Sequence, residues 1–252
     1  MLLENLTWPE VKKLKLANQI VLLPLGSFEQ HGPHLPLTTD TDIVTAVARG
    51  LEKQRSKQTL CLPTLWPGHS THHLFFPGTL SVSQMPYIQL VIELCRSIMK
   101  MGAQKVFLLN GHGGNDVPLR ATLREIKTEF PRARFVFASY WTLAQQSIKS
   151  IRESELGGLG HACEMETSIM LHLHPDRVKA ALGRRDGPRH TDPYRKADLQ
   201  YGRPIYFVND FHEISKTGTV GHPELASARK GKQFLDGIIR EVTAFVDDFL
   251  KW

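Results

Sequence analysis

A chain of 252 residues with 41% hydrophobic and 22% charged side chains is long enough for one large α/β domain with a full core, and its balance excludes a disordered or fibrous protein. No apolar run approaches the roughly 18 residues that cross a bilayer, and MLLENLTWPEVKKLK has none of the three regions of a signal peptide. The net charge of +6 invites a nucleic-acid reading, but the basic residues are dispersed apart from RVKAALGRR (177–185) and GPRHTDPYRK (187–196), and no zinc-finger spacing or RNA-recognition signature accompanies them.

Strand-length apolar runs alternate with stretches of helical period along the chain. QIVLLPLGS (19–27) reads as a buried strand ending in Gly-Ser. From Thr39, Ile43, Val44, Val47, Ala48 and Leu51 recur at helical spacing, with Thr39 and Asp42 resembling a capping box. QTLCLPTL (58–65) reads as a second strand, and SQMPYIQLVIELCRSIMKMG (83–102) as an amphipathic helix closed by Gly102. KVFLLNG (105–111) is the clearest buried strand, followed by a glycine-rich turn and a helix to about Phe130. ARFVFASYW (133–141) is a fourth strand, METSIMLHLH (165–174) begins a helix, and residues 183–202 read as a long surface loop. PIYFVNDF (204–211) reads as a late or edge strand, and residues 223–252 as a closing helix. This alternation predicts a single domain over 1–252, with a mostly parallel sheet and helices on both faces. Cys61, Cys95 and Cys163 are too few and too scattered for a disulfide framework, so a cytoplasmic setting is expected.

Two polar clusters fall at carboxyl ends of strands, where open α/β sheets gather ligands. GSFEQHG follows the first strand and NGHGGND follows KVFLLNG. Glu29 and His31 are two apart and project from one face of an extended segment. Asp40 follows nine residues later at the mouth of a helix, within reach of a loop that folds back. His112 lies among Gly111, Gly113 and Gly114, and GHACEMETS (160–168) supplies His161, Glu164 and Glu166. Mixed carboxylate and imidazole ligands suit zinc, manganese or iron, and this set is enough for two ions sharing a bridging carboxylate. Each residue also has a plainer use: Glu29 as a turn cap, Asp40 as a favourable charge in a first helical turn, Cys163 as a small buried thiol.

LPLGSFEQHGPHLPLTTDTD (23–42), FPGTLS (76–81), NGHGGN (110–115) and GHACEMETS resemble, in order, the successive motifs of the creatininase (creatinine amidohydrolase) superfamily. The tail GTVGHPELASARKG (218–231) fits as well. The resemblance implies a three-layer α/β/α sandwich, two divalent metal ions (zinc, manganese or iron), hydrolysis of non-peptide C–N bonds and a homo-oligomer, often a hexamer. It implies Glu29 and His112 as ligands of one ion, His31 of the other, and Asp40 as the bridge. Creatininase proper carries a glutamate two places after the histidine, in GHYEN, where this chain has Gly114; Glu164 stands where its HGGxFETS motif has a valine-like residue. That exchange makes Glu164 the expected replacement ligand, catalytic together with His161, and Glu166 the runner-up. His161 matches a histidine that contacts substrate and assists proton transfer, and Ser70, His73, Gly78 and Thr79 are expected to shape the substrate pocket with it. The tryptophan-aspartate pair that embraces creatinine is replaced by GGLG (157–160), which argues against creatinine itself. GHGGN and HAxE resemble instead the formamide-deformylase and mycofactocin-precursor-peptidase branches.

The expected activity is therefore metal-dependent hydrolysis of an amide, formamide or cyclic amide in a small molecule, without nucleic-acid or membrane partners. Two alternatives stand beside it: a non-catalytic metal-binding scaffold of the same fold, and a peptidase-like maturation enzyme. A serine hydrolase built on Ser27 would require a GxSxG elbow, which GSFEQ is not.

Overall fold

The computed structural model describes all residues except Arg189, His190, Thr191, Pro193 and Arg203. Four parallel strands form the central sheet: β1 (Ile20–Leu25), β2 (Thr59–Cys61), β3 (Lys105–Asn110) and β4 (Arg134–Ser139), in the order β2-β1-β3-β4. The helices of seven or more residues are α1 (Thr39–Gln54), α2 (Gln84–Lys100), α3 (Asp116–Glu129), α4 (Gln145–Ile151), α5 (Glu164–Leu173) and α6 (Ala228–Phe249).

The sheet divides the core in two because successive strand residues face opposite sides. Ile20, Leu22, Phe107 and Leu109 pack with α1, α4, α5 and α6 on one face, burying Ile43, Ile148, Ile169 and Ile238 among others. Val21, Leu23, Leu25, Val106 and Leu108 pack with Tyr87, Val91 and Ile98 of α2 and Leu119 and Ile126 of α3 on the other. The expected three-layer α/β/α arrangement is thus the observed one. Every residue of β1 is buried, and each such aliphatic side chain contributes about 1.5–3 kcal/mol on leaving water. Among the described residues no helix is long and apolar enough to cross a membrane.

Register places the site. Leu25 pairs with Asn110 and Asn110 with Ser139, so three strands end level and their following loops share one edge. A separate antiparallel ribbon, β5 (Leu159–His161) with β6 (Val220–Gly221), brings the third polar cluster to that edge; no alternation in so short a pair announces it.

Several boundaries differ from expectation. The second strand ends at Cys61 because Pro63 has no N–H for the ladder, although Leu65 N still donates to Pro24 O at 3.0 Å. Residues 204–208 form no strand: Ile205, Tyr206, Phe207 and Val208 are exposed, and the segment ends in a helical turn, Phe211–Ile214. Trp141 belongs to a short helix, Tyr140–Leu143, rather than to β4. Helix α1 begins at Thr39, so the Thr39–Asp42 capping box does not form; Thr38 Oγ1 donates to Asp42 Oδ2 at 2.7 Å instead. The closing helix starts at Ala228, capped by Ser227 Oγ accepting from Lys230 N at 3.3 Å. The described part of 183–202 is the predicted connection without long elements, and Arg189, His190, Thr191 and Pro193 of it lie outside the described residues.

Candidate metal centre and active site

The loop after β1 doubles back so that Glu29 N donates to Leu37 O at 2.9 Å. This return delivers Asp40, at the start of α1, beside His31: His31 Nε2 lies 3.0 Å from Asp40 Oδ1. His31 Nδ1 is 3.2 Å from the Glu29 carbonyl, which only accepts, so that nitrogen carries a proton. Ser27 Oγ donates to Asp40 Oδ2 at 2.8 Å. From the β3 edge, His112 sets Nδ1 2.9 Å from Asp40 Oδ2 and Nε2 3.2 Å from Glu29 Oε2. Two asparagines of NGHGGN brace its turn: Asn110 Nδ2 donates to His112 O at 2.7 Å, and Asn115 Nδ2 to Gly26 O at 3.0 Å.

The third contribution turns on Ala162, whose φ of 49° is the one positive value of a non-glycine among the described residues. That left-handed step, a strained conformation for alanine, lets β5 end on His161 and α5 begin at once with Glu166 aimed back at the cluster. Glu29, Asp40 and His112, then His31, Asp40 and Glu166, and also Glu29, His31 and His161, each place one ligand atom per residue within 4.8 Å of the others. Asp40 is common to the first two sets.

The charges are consistent with a cation site. Glu29 is completely buried, and neither carboxylate oxygen accepts a hydrogen bond of proper angle, although three histidines face it. Leaving buried carboxylate oxygens unpaired is costly, and a metal ion would satisfy them; the mixed donor set fits zinc, manganese or iron. Burial opposes charge on His31, yet facing Asp40 raises its pKa to about 9, and Glu29 and Asp40 raise His112 well above the ordinary value against the same burial. Burial pushes Asp40 up, but His31 and His112 hold it down at about 2. Burial and the neighbouring Asp40 carry Glu166 up to about 7. Burial and His31 hold His161 neutral, with a pKa of about 3.

Glu164 is the correction. Its carboxylate faces away from the cluster, accepting from Glu153 N and Ser154 N at 2.9 Å each and from Lys230 Nζ at 2.7 Å. It ties α5 to α6 and the preceding loop and has no free oxygen for a metal or substrate. The carboxylate at the cluster is Glu166. Gly114 cannot supply one in this backbone: a Cβ there would lie 2.2 Å from His69 O, 2.4 Å from His112 Nε2 and 2.7 Å from His72 Cε1.

A cavity of about 120 Å³ opens over the cluster, lined among others by His72, His73, His161, Trp141, Leu199 and Phe211. Phe211 stacks on His73 at 3.9 Å between centroids and meets His161 edge-on at 4.7 Å. Leu199 is held in the wall because Leu199 N donates to Leu159 O at 2.9 Å, while Asp198 beside it binds Arg152 and Gly157 N. Of the expected pocket residues, His73 and His161 line the cavity, and Ser70 Oγ contacts His112 Nε2 at 3.2 Å. Thr79 Oγ1 instead accepts from Gln30 N, and Gly78, with φ of 97°, packs against Leu37. Trp141, Leu199, Phe211 and Gln30 were not anticipated. Only Gln30 had a signal in the sequence, its position between Glu29 and His31.

The chain thus has an α/β/α fold whose carboxylates and imidazoles converge at the carboxyl edge of the sheet, where open α/β folds gather their ligands. The family model for creatinine amidohydrolase matches residues 4–246, and the chain belongs to the creatininase family. It is 34% identical over 234 residues to the mycofactocin precursor peptide peptidase of Mycobacterium ulcerans, covering 90% of this chain and 80% of that one. It is 28% identical over 253 residues to the creatinine amidohydrolase of Pseudomonas putida, covering 94% and 93%. A solved mutant creatininase of Zn–Zn type superposes with a TM-score of 0.83 at 25% identity, covering 98% of this chain and 97% of that one.

Proposed function

We propose that this protein hydrolyses a C–N bond of amide type with a water activated at a pair of divalent metal ions. The observation that carries the reading is Glu29, a buried carboxylate with both oxygens unpaired at the meeting point of His73, His112 and His161. Glu29, Asp40 and His112 would hold one ion; His31, Asp40 and Glu166 would hold the other, Asp40 bridging. When bound, such ions lower the pKa of a water towards about 7 and polarise a carbonyl.

The protein's own groups do the rest. His161, with Nε2 on the Gln30 carbonyl at 2.7 Å, turns Nδ1 to the cluster, where it relays a proton to the departing nitrogen. Trp141, Leu199 and Phe211 give the cavity an apolar wall. The dispersed positive charge favours an anionic small molecule. The substrate carries an amide, formamide or cyclic amide. A short peptide undergoing maturation is the second reading, supported by the 34% identity to the mycobacterial peptidase.

The test is hydrolysis of a panel of formamides, cyclic amides and short peptides by metal-depleted protein and by protein reconstituted with zinc, manganese or iron. Turnover that appears only on reconstitution is the expected result. No turnover in any metal form across the panel would favour a non-catalytic scaffold.

A further inference from the structure

Gln30 lies buried between Glu29 and His31, and its carboxamide has only one possible orientation. Oε1 accepts from Gly32 N at 2.9 Å and Nε2 donates to the Gly218 carbonyl at 3.1 Å; a backbone N–H cannot accept and a carbonyl cannot donate. The other Nε2 hydrogen is left for His73 Nδ1 at 2.8 Å. His73 Nδ1 therefore carries the lone pair, and its proton sits on Nε2. The backbone of the same residue fixes a second ring. His161 Nε2 lies 2.7 Å from Gln30 O, which only accepts, so Nε2 is protonated and Nδ1 is bare. The 3.2 Å approach of Gln30 Nε2 to His161 Nε2 is a contact between two donors whose hydrogens are already committed.

The two rings stand 4.5 Å apart and turn different atoms to the cluster. His73 presents a protonated Nε2 at 3.2 Å from Glu29 Oε1, and His161 a bare Nδ1 at 3.7 Å from the same oxygen. Gly218 completes the arrangement. With φ of 83° it brings its backbone so close that a Cβ would sit 1.9 Å from Gln30 Oε1, so only glycine lets that carbonyl anchor the amide.

We propose that Gln30 is a positioning residue that sets the tautomers of His73 and His161, so that one proton donor and one proton acceptor flank Glu29. The catalytic consequence rests on the hydrolase reading. The tautomers do not, and they are read without any substrate.

The experiment is long-range ¹H–¹⁵N correlation spectroscopy of the zinc-loaded, histidine-labelled full chain, with signals assigned by their loss in His73→Gln and His161→Gln. Both rings are expected to be protonated on Nε2. In Gln30→Glu, which keeps an acceptor for Gly32 N but has no hydrogen to give, the His73 proton moves to Nδ1 while His161 is unchanged. A wild-type His73 protonated on Nδ1 overturns the proposal at once, and this spectrum decides even if the variant does not fold. A folded Gln30→Glu with His73 unmoved also overturns it. On any substrate the panel yields, kcat of that variant is expected to fall at least about tenfold with KM within about twofold; a moved tautomer with unchanged kcat refutes the catalytic part alone.

Discussion

Replacing Glu164 by alanine separates a strut from a ligand. Glu164 accepts two backbone N–H groups and the Lys230 ammonium, and Lys230 is itself 4% exposed. Alanine would leave two backbone donors unpaired and the buried Lys230 ammonium with only the exposed Glu153 carboxylate at 3.2 Å, and breaking a buried pair on one side costs up to about 3–5 kcal/mol. At about 2–4 °C per kcal/mol for a chain of this size, the melting temperature falls by up to about 6–20 °C. Metal content per folded molecule is expected to stay at the wild-type value. Glu166→Ala is expected to do the reverse, losing metal from the set it shares with His31 and Asp40 while melting near the wild-type, metal-free temperature. Differential scanning calorimetry beside plasma mass spectrometry reads both quantities. A Glu164→Ala protein that melts normally but has lost one equivalent of metal would refute this assignment.

Two other outcomes follow from the site. The folded state of the metal-free protein holds a proton on His31 with a pKa of about 9 against an ordinary value near 6.5, so the stability this provides is complete below about pH 6.5 and is lost as pH rises through 9. One such proton gives a slope of at most about 1.4 kcal/mol per pH unit; denaturant unfolding from pH 6.5 to 9 should show the decline without metal and lose it with metal bound. Gly114→Ala places a Cβ 2.2 Å from His69 O and should destabilise by about 1–3 kcal/mol while weakening metal retention through the displaced His112, measured by unfolding and by titration with a chelator.

The sheet was legible because β1 and β3 are runs of apolar residues buried on both faces, and the polar clusters were legible because each follows such a run. The choice between Glu164 and Glu166 was not. Residues two apart on a helix point about 200° apart, so one of the pair must face the cluster and the other the opposite side. Which one does so depends on the roll of α5, set by the left-handed Ala162 and by Lys230, 66 residues away. Phe211 was hidden for a different reason. Its segment carries Ile205, Tyr206, Phe207 and Val208, an apolar run that reads as a strand, but no sheet edge meets it and the chain spends only Phe211 on the cavity.

The central claim is a pair of metal ions bridged by Asp40, and metal content decides it most directly. Protein purified without added metal is compared with Asp40→Ala by plasma mass spectrometry, each also after reconstitution with zinc. Close to two equivalents are expected in the wild type and a sharp fall in the variant, whose loss of the carboxylate common to both ligand sets leaves neither site complete. Wild-type protein that retains no metal after reconstitution, or an Asp40→Ala variant that still holds two equivalents, would contradict it.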